Sequence, residues 1–373
     1  MYLDHAATTP MRPEVWEAMR PFATDLWGNP SGTHAVSRRA KNAVEEAREE
    51  AAALLGARPQ EIVFTSGGTE SDNLAVKGVA LAGGGRRGVV TTGIEHEAVL
   101  DAAEWLDRFG IPVRHAQPEP DGVVPPDDVL DLVDETIGLV SVMYANNETG
   151  AIQPVGTVAR AIRETHPGTA VHTDAVQAFG TERLDVDALG VDLLTLAGHK
   201  LGGPKGVGLL YVRDGTALEP LAHGGGQELA RRSGTLDPMG IVGMVTAMRL
   251  AAVDRGRTKR RLAAERDEFE AVLAGRLAGV VVTAAEAPRL ASHSHVRVPG
   301  LDQQVALIKL DRAGIAASGG SACASGAMTA SHVLLAMGLD AADARSALRF
   351  TFGWSTRPGE GREAAELVAK ALT

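Results

Sequence analysis

The sequence predicts an α/β protein with a mainly parallel central sheet covered by helices, followed by a smaller α+β domain. Three observations predict it. From about residue 60 to 212, short apolar runs alternate with amphipathic stretches. Several of the runs are apolar throughout, as strands buried on both faces are. A long helical pattern over 240–276 then separates this block from a remainder with shorter elements.

Taken in order, SGTHAVSRRAKNAVEEAREEAAALLG (31–56) has a polar start, dense Ala, Glu and Arg, and a terminal glycine, so it reads as a long helix. The runs at 61–65, 88–92, 111–116, 136–145, 170–175, 191–197 and 206–212 read as strands, with helical patterns such as 69–82 and 155–166 between them. Strand and helix repeated in this way imply parallel pairing and helical cover on both faces. The helix over 240–276 is expected to kink at Gly256. Beyond it, strands near 280–284, 295–298 and 347–353 and helices near 302–313 and 359–371 form the smaller unit.

Composition excludes several classes. Lys and Arg number 37 against 47 Asp and Glu in 373 residues, a net charge of −10, so direct nucleic-acid binding through the phosphate backbone is not expected. The single cysteine, Cys323, rules out an intrachain disulfide framework or a cysteine-based zinc cage and fits a reducing compartment. MYLDHAATTP lacks the basic start and apolar run of a secretory signal, and no run of about 18 apolar residues is present. The expectation is a cytoplasmic protein without a membrane span.

Ligands of parallel sheets bind in the loops after the strands' carboxyl ends. There, Asp174 closes AVHTDA and Lys200 follows the next apolar run in a glycine-lined turn, GHKLGGPKG. An accessible lysine suits a Schiff base with an aldehyde cofactor, and a carboxylate suits its ring nitrogen. An exposed loop lysine and a helix-capping aspartate are the plain alternative, and the neighbouring loops weigh against it. TSGGTES (65–71) leaves a strand and opens a helix, with Gly68 and Thr69 placed for a phosphate. His96 and Asn147 follow two further strands at the same edge and Gln177 follows AVHTDA, offering an imidazole and amide donors. Together these favour a pyridoxal phosphate site. Cys323 sits in SGGSACASG, a small polar setting that suits a reactive thiol rather than a packed one.

With these motifs the chain resembles the cysteine desulfurases (NifS- and IscS-like), relatives of the class V aminotransferases that use pyridoxal 5′-phosphate. The resemblance runs from YLDHAATTP through GNPSGTH, EIVFTSGGTESDN, EHEAVL, NNETG, HTDAVQ, GHKLGGPKGVG, HGGGQE, RRSGT and SGGSACASG to LRFTFG. It implies a fold-type I architecture, with residues 12–255 as a large cofactor-binding domain and 1–11 with 256–373 as a small domain carrying the Cys323 loop. It implies that Lys200 holds the cofactor covalently and later moves protons, that Asp174 pairs with the ring nitrogen, and that His96 stacks on the ring. Gln177 and Asn147 would bond the ring hydroxyl or the substrate edge. Gly68, Thr69 and His199 would hold the phosphate, joined by Thr235 from the neighbouring subunit of a homodimer. Arg349 would grip the carboxylate of L-cysteine. Cys323 would take the sulfur as a persulfide and pass it to a sulfur-acceptor protein, chemistry that feeds iron–sulfur cluster assembly, tRNA thiolation, cofactor biosynthesis or DNA phosphorothioation.

The sequence departs from the pattern in places. Ala197 stands where many relatives carry serine, removing one phosphate contact, and the chain ends at Thr373 without the longer tail that several relatives use to dock a scaffold. The Cys323 segment is of the longer type, which implies delivery of sulfur to a partner. Selenocysteine lyase, cysteine sulfinate desulfinase or class V aminotransferase chemistry on the same scaffold is the alternative. A non-catalytic carrier is disfavoured by the intact Lys200 and Asp174. His293 and His295 share a strand face, but with no third ligand they read as surface polar residues, and no metal is expected. RGRTKRR (255–261) reads as the wet face of a helix.

Overall fold

The computed structural model describes residues 1–82, 87–319 and 330–373; Cys323 lies outside them. Seven strands form the central sheet: β1 (Ile62–Thr65), β2 (Gly88–Thr92), β3 (Val113–Ala116), β4 (Ile137–Ser141), β5 (Ala170–Asp174), β6 (Leu193–Ala197) and β7 (Gly208–Val212). Their order is β1-β7-β6-β5-β4-β2-β3. The β3–β2, β2–β4, β4–β5 and β5–β6 pairs are parallel, while β7 is antiparallel to both β6 and β1. Only β7 therefore runs against the rest, and the carboxyl ends of the other strands share one edge.

The continuous apolar runs have a direct cause. Ile62, Phe64, Leu194, Leu209 and Tyr211 enter one buried cluster, and Val63, Leu193, Leu210 and Val212 enter another on the opposite face. Alternate side chains point to opposite faces of a strand, so a sheet covered on both sides demands apolar residues at every position.

Three further strands, β8 (Val281–Val282), β9 (His293–Arg297) and β10 (Ala347–Thr351), form an antiparallel sheet in the order β10-β9-β8. Their core gathers Leu262, Phe269, Leu310, Phe350 and Val368. Leu3 joins it because the first residues of the chain bridge back, Asp4 beside Thr351 and Tyr2 beside Ala316. Helix Pro238–Arg276 spans 39 residues, about 58 Å at 1.5 Å per residue, and contributes to both cores. It stays helical through Gly256, so the expected kink is absent.

Two other expectations are corrected. His293 and His295 are buried at 2% and 0% exposure, because both faces of β9 are covered. Burial holds both imidazoles neutral, pushed down to about 3. The basic run is also only partly wet: Arg255 lies over the Phe179 ring, Lys259 pairs with Glu182 at 2.7 Å, and Arg261 donates to the Trp354 and Thr356 carbonyls.

One glycine sets the position of the site. Gly208 pairs with Thr65 on one side and Ala197 on the other, and a Cβ there would come within 2.5 Å of the Gly67 backbone. Gly208→Ala should lower stability by about 1–3 kcal/mol through overpacking, read as a shifted denaturant midpoint. An unchanged midpoint would show that the 65–69 turn yields.

Candidate active site

Five loops at the shared strand edge enclose a cavity of about 250 Å³. The turn after β1 supplies Gly68 and Thr69. The loop after β2 supplies His96, and the one after β4 supplies Asn147. Asp174 at the end of β5, followed by Val176 and Gln177, forms another wall, and Ala197, His199 and Lys200 follow β6. Eight of the residues expected from sequence thus line one space.

Lys200 is held from an unexpected direction. Its Nζ donates to the carbonyls of Ala6 and, at 2.8 Å, Ala7, so the first segment of the chain forms its cradle. Burial, reinforced by the positive charge of Arg349, pushes its pKa down to about 8, against the opposing pull of Asp174 and Asp4. About a tenth is therefore the free amine at pH 7, far more than for an ordinary lysine, and this is the form that attacks a carbonyl. The rate at which the apoprotein captures pyridoxal 5′-phosphate should rise with pH and level off above about pH 8. A rate still climbing toward 10.5, the ordinary lysine value, would contradict the buried setting.

Asp174 is buried, and its Oδ1 accepts the Val176 N–H at 2.9 Å. Burial raises its pKa, while His96 and Lys200 act to keep it charged. His199 shares a hydrogen bond with the Thr8 hydroxyl at 3.1 Å, and burial pushes its pKa down to about 4, so it meets a ligand as neutral imidazole. The Nδ1 of His96 accepts the Ala98 N–H and caps the helix Glu97–Asp107, which orients the ring at the cavity mouth. Gln177 donates to the Ala6 carbonyl at 3.0 Å, linking the β5 loop to the same segment that holds Lys200.

Two expected residues lie elsewhere. Arg349 is buried and does not line the cavity, donating to the Asn147 carbonyl and to Asp4, each at 2.9 Å. Thr235 is exposed and does not line the cavity.

Sequence reasoning missed what lies beneath. Asp72, from the second turn of helix Gly68–Leu81, lines the cavity at 2% exposure, with an Oδ1 that has no hydrogen-bond partner among the described residues. Burial and the charge of Asp174 raise its pKa. It stands 3.7 Å from His172, whose ring bonds Ser141 and Thr195 at 2.8 and 3.0 Å. A charged residue on an otherwise apolar helix face was the available signal. Among the described residues no group of three metal ligands occurs, and no helix is long and apolar enough to cross a membrane.

The model of the class V aminotransferases matches residues 1–358. The chain belongs to that family. A cysteine desulfurase IscS of Dictyoglomus turgidum is 41% identical over 357 residues, covering 95% of this chain and 90% of that one. Among solved structures, a NifS-like protein superposes with a TM-score of 0.93 at 36% identity over 100% of this chain and 99% of its own. SspA in complex with cysteine gives 0.84 at 36%, covering 94% and 98%.

Family membership implies pyridoxal 5′-phosphate, and the residues fit it. The cavity holds a half-buried amine, a buried carboxylate and an imidazole beside a glycine turn at a helix N-terminus, where an anion is favoured. A Cβ on Gly68 would stand 3.1 Å from Val176, so the absent side chain keeps this wall open.

Proposed function

We propose that this chain is an L-cysteine desulfurase that uses pyridoxal 5′-phosphate and collects sulfur on Cys323. The observation that carries the reading is the convergence of Lys200, Asp174, His96 and the Gly68–Thr69 turn on one cavity. When bound, the cofactor supplies an electron sink that weakens the bonds around the substrate's α-carbon.

The chain's own residues supply the rest. The Lys200 amine would hold the cofactor through its carbonyl carbon and move a proton at the substrate's α-carbon. Asp174 would hold the ring nitrogen, its pKa raised by burial against the opposing pull of His96 and Lys200. His96, Gln177 and Asn147 would hold and orient ring and substrate, and the amide of Gly68 with Thr69 and His199 would bind the phosphate. Arg349 steadies the substrate carboxylate from beside Asn147. The Cys323 thiolate attacks the substrate sulfur: the C–S bond breaks as an S–S bond forms, giving L-alanine and a Cys323 persulfide. Atoms balance, because the thiol proton and the bonding pair end on the alanine carbon.

The active unit is a homodimer in this reading, supported by the exposure of Thr235 on a single chain. The persulfide passes to an acceptor protein. The purified protein is expected to release one L-alanine per sulfur transferred from L-cysteine. Selenocysteine and cysteine sulfinate, tested beside it, separate the alternatives: turnover of these that does not need Cys323, with none of cysteine, would overturn the assignment.

A further inference from the structure

The segment leading to Thr235 contains a backbone that L-residues avoid. Glu228, Leu229 and Ala230 lie consecutively at φ 51°, 57° and 64°, and none is glycine. Such a run persists only where surrounding contacts impose it. Arg48, 180 positions away, imposes this one. Its Nη1 and Nη2 donate to the two Glu228 oxygens at 2.9 and 2.6 Å, with both residues less than a tenth exposed.

The pair is keyed to β1. Glu228 Oε2 also accepts the Phe64 N–H at 2.7 Å, Arg48 donates to the Ile62 carbonyl at 2.7 Å, and its guanidinium lies over the Phe64 ring. From there the loop closes on itself. Gln227 Oε1 accepts the Gly234 N–H at 2.9 Å, immediately before Thr235. Arg232 pairs with Glu70 at 2.7 Å, and Glu70 accepts the Ser66 N–H. The loop is thus fixed to residues 64 and 66, on the strand and turn that lead into Gly68 and Thr69.

A buried two-point ion pair costs desolvation, and an apolar pair of equal volume can stabilise as well. What the fork adds is orientation. We propose that the Arg48–Glu228 pair is a positioning device for cofactor binding: it locks the 222–235 loop in one shape against the phosphate turn, so that each protomer presents Thr235 ready for its neighbour's phosphate site. This rests on the reading that Thr235 contacts that phosphate.

The test is a titration of the full-length apoprotein with pyridoxal 5′-phosphate, at a temperature where the variants keep the wild-type circular dichroism. Glu228→Gln keeps an acceptor for Phe64 but loses the charge, and should weaken cofactor binding about tenfold. In a Thr235→Ala background the same change should add almost nothing, because its effect passes through Thr235. Arg48→Lys, which keeps a cation but loses the fork, serves if Glu228→Gln does not fold. Wild-type affinity in the variant, or losses that simply multiply in the double variant as a general structural weakening would give, overturns the proposal. Failure of the wild type itself to bind the cofactor would instead refute the functional reading on which it rests.

Discussion

Lys200→Met loses turnover of cysteine by roughly 10³-fold or more, the scale expected when a nucleophilic amine and a positioned proton-transfer group are removed together. Lys200 alone among the chain's seven lysines lines the cavity, so no neighbouring amine can substitute. The same change should not damage the fold. Among the described residues the amine bonds only backbone carbonyls, and the Ala6 carbonyl keeps its bond from Gln177. Methionine retains most of the apolar stem. The folded-state pKa lies below the unfolded value, about 8 against 10.5, so the folded protein pays for protonating this group at lower pH. The apoprotein of Lys200→Met should therefore be more stable than wild type at pH 7, by an amount on the order of 2–3 kcal/mol. That advantage should shrink as pH rises from about 8 to 10.5. A variant that is inactive and also much less stable at pH 7 would mean that the lysine serves the fold.

Cys323→Ala separates cofactor chemistry from sulfur capture. Every residue assigned to the cofactor lies outside the 318–326 segment, so the variant should bind pyridoxal 5′-phosphate as wild type does. Alanine release from L-cysteine should fall by roughly 10²–10³-fold for want of the nucleophile. Because the chain has one cysteine, a protein-bound persulfide has only one possible address. Mass spectrometry after exposure to L-cysteine should find one added sulfur atom in the wild type and none in the variant. A variant that still gains sulfur and releases alanine at the wild-type rate would remove Cys323 from the mechanism.

The sheet was legible mainly because burial on both faces writes itself into the sequence: β1, β4, β6 and β7 are apolar runs buried throughout, while the edge strand β3 (VRHA) is only partly buried and β5 (AVHTD) carries His172, Thr173 and Asp174. Helix Pro13–Thr24 was hidden by prolines at 13 and 21, which read as breakers although the first merely starts the helix. The alternation SHSH at 292–295 looks like a strand with a wet face. Only the packed structure shows that both faces are covered, with His293, Ser294, His295 and Val296 all buried.

The site divides in the same way. Residues that follow strands could be placed at one edge by the topology rule for parallel sheets, and the cavity gathers them. What no local pattern carries is pairing across long separations. The Ala6 and Ala7 carbonyls meet Lys200 across more than half the chain, Asp4 meets Arg349 from the opposite end, and Arg48 meets Glu228. These contacts arise from the return of the first residues to the second core and from the packing of helix Ala35–Leu55 against the long helix Pro238–Arg276.

In this mechanism one half-buried amine, that of Lys200, holds the cofactor. Borohydride reduction of the protein loaded with pyridoxal 5′-phosphate, followed by proteolysis and mass spectrometry, locates the attachment. The account predicts a pyridoxyl label on Lys200 and on no other lysine; a label on Lys205 or Lys77, or none at all, would contradict it.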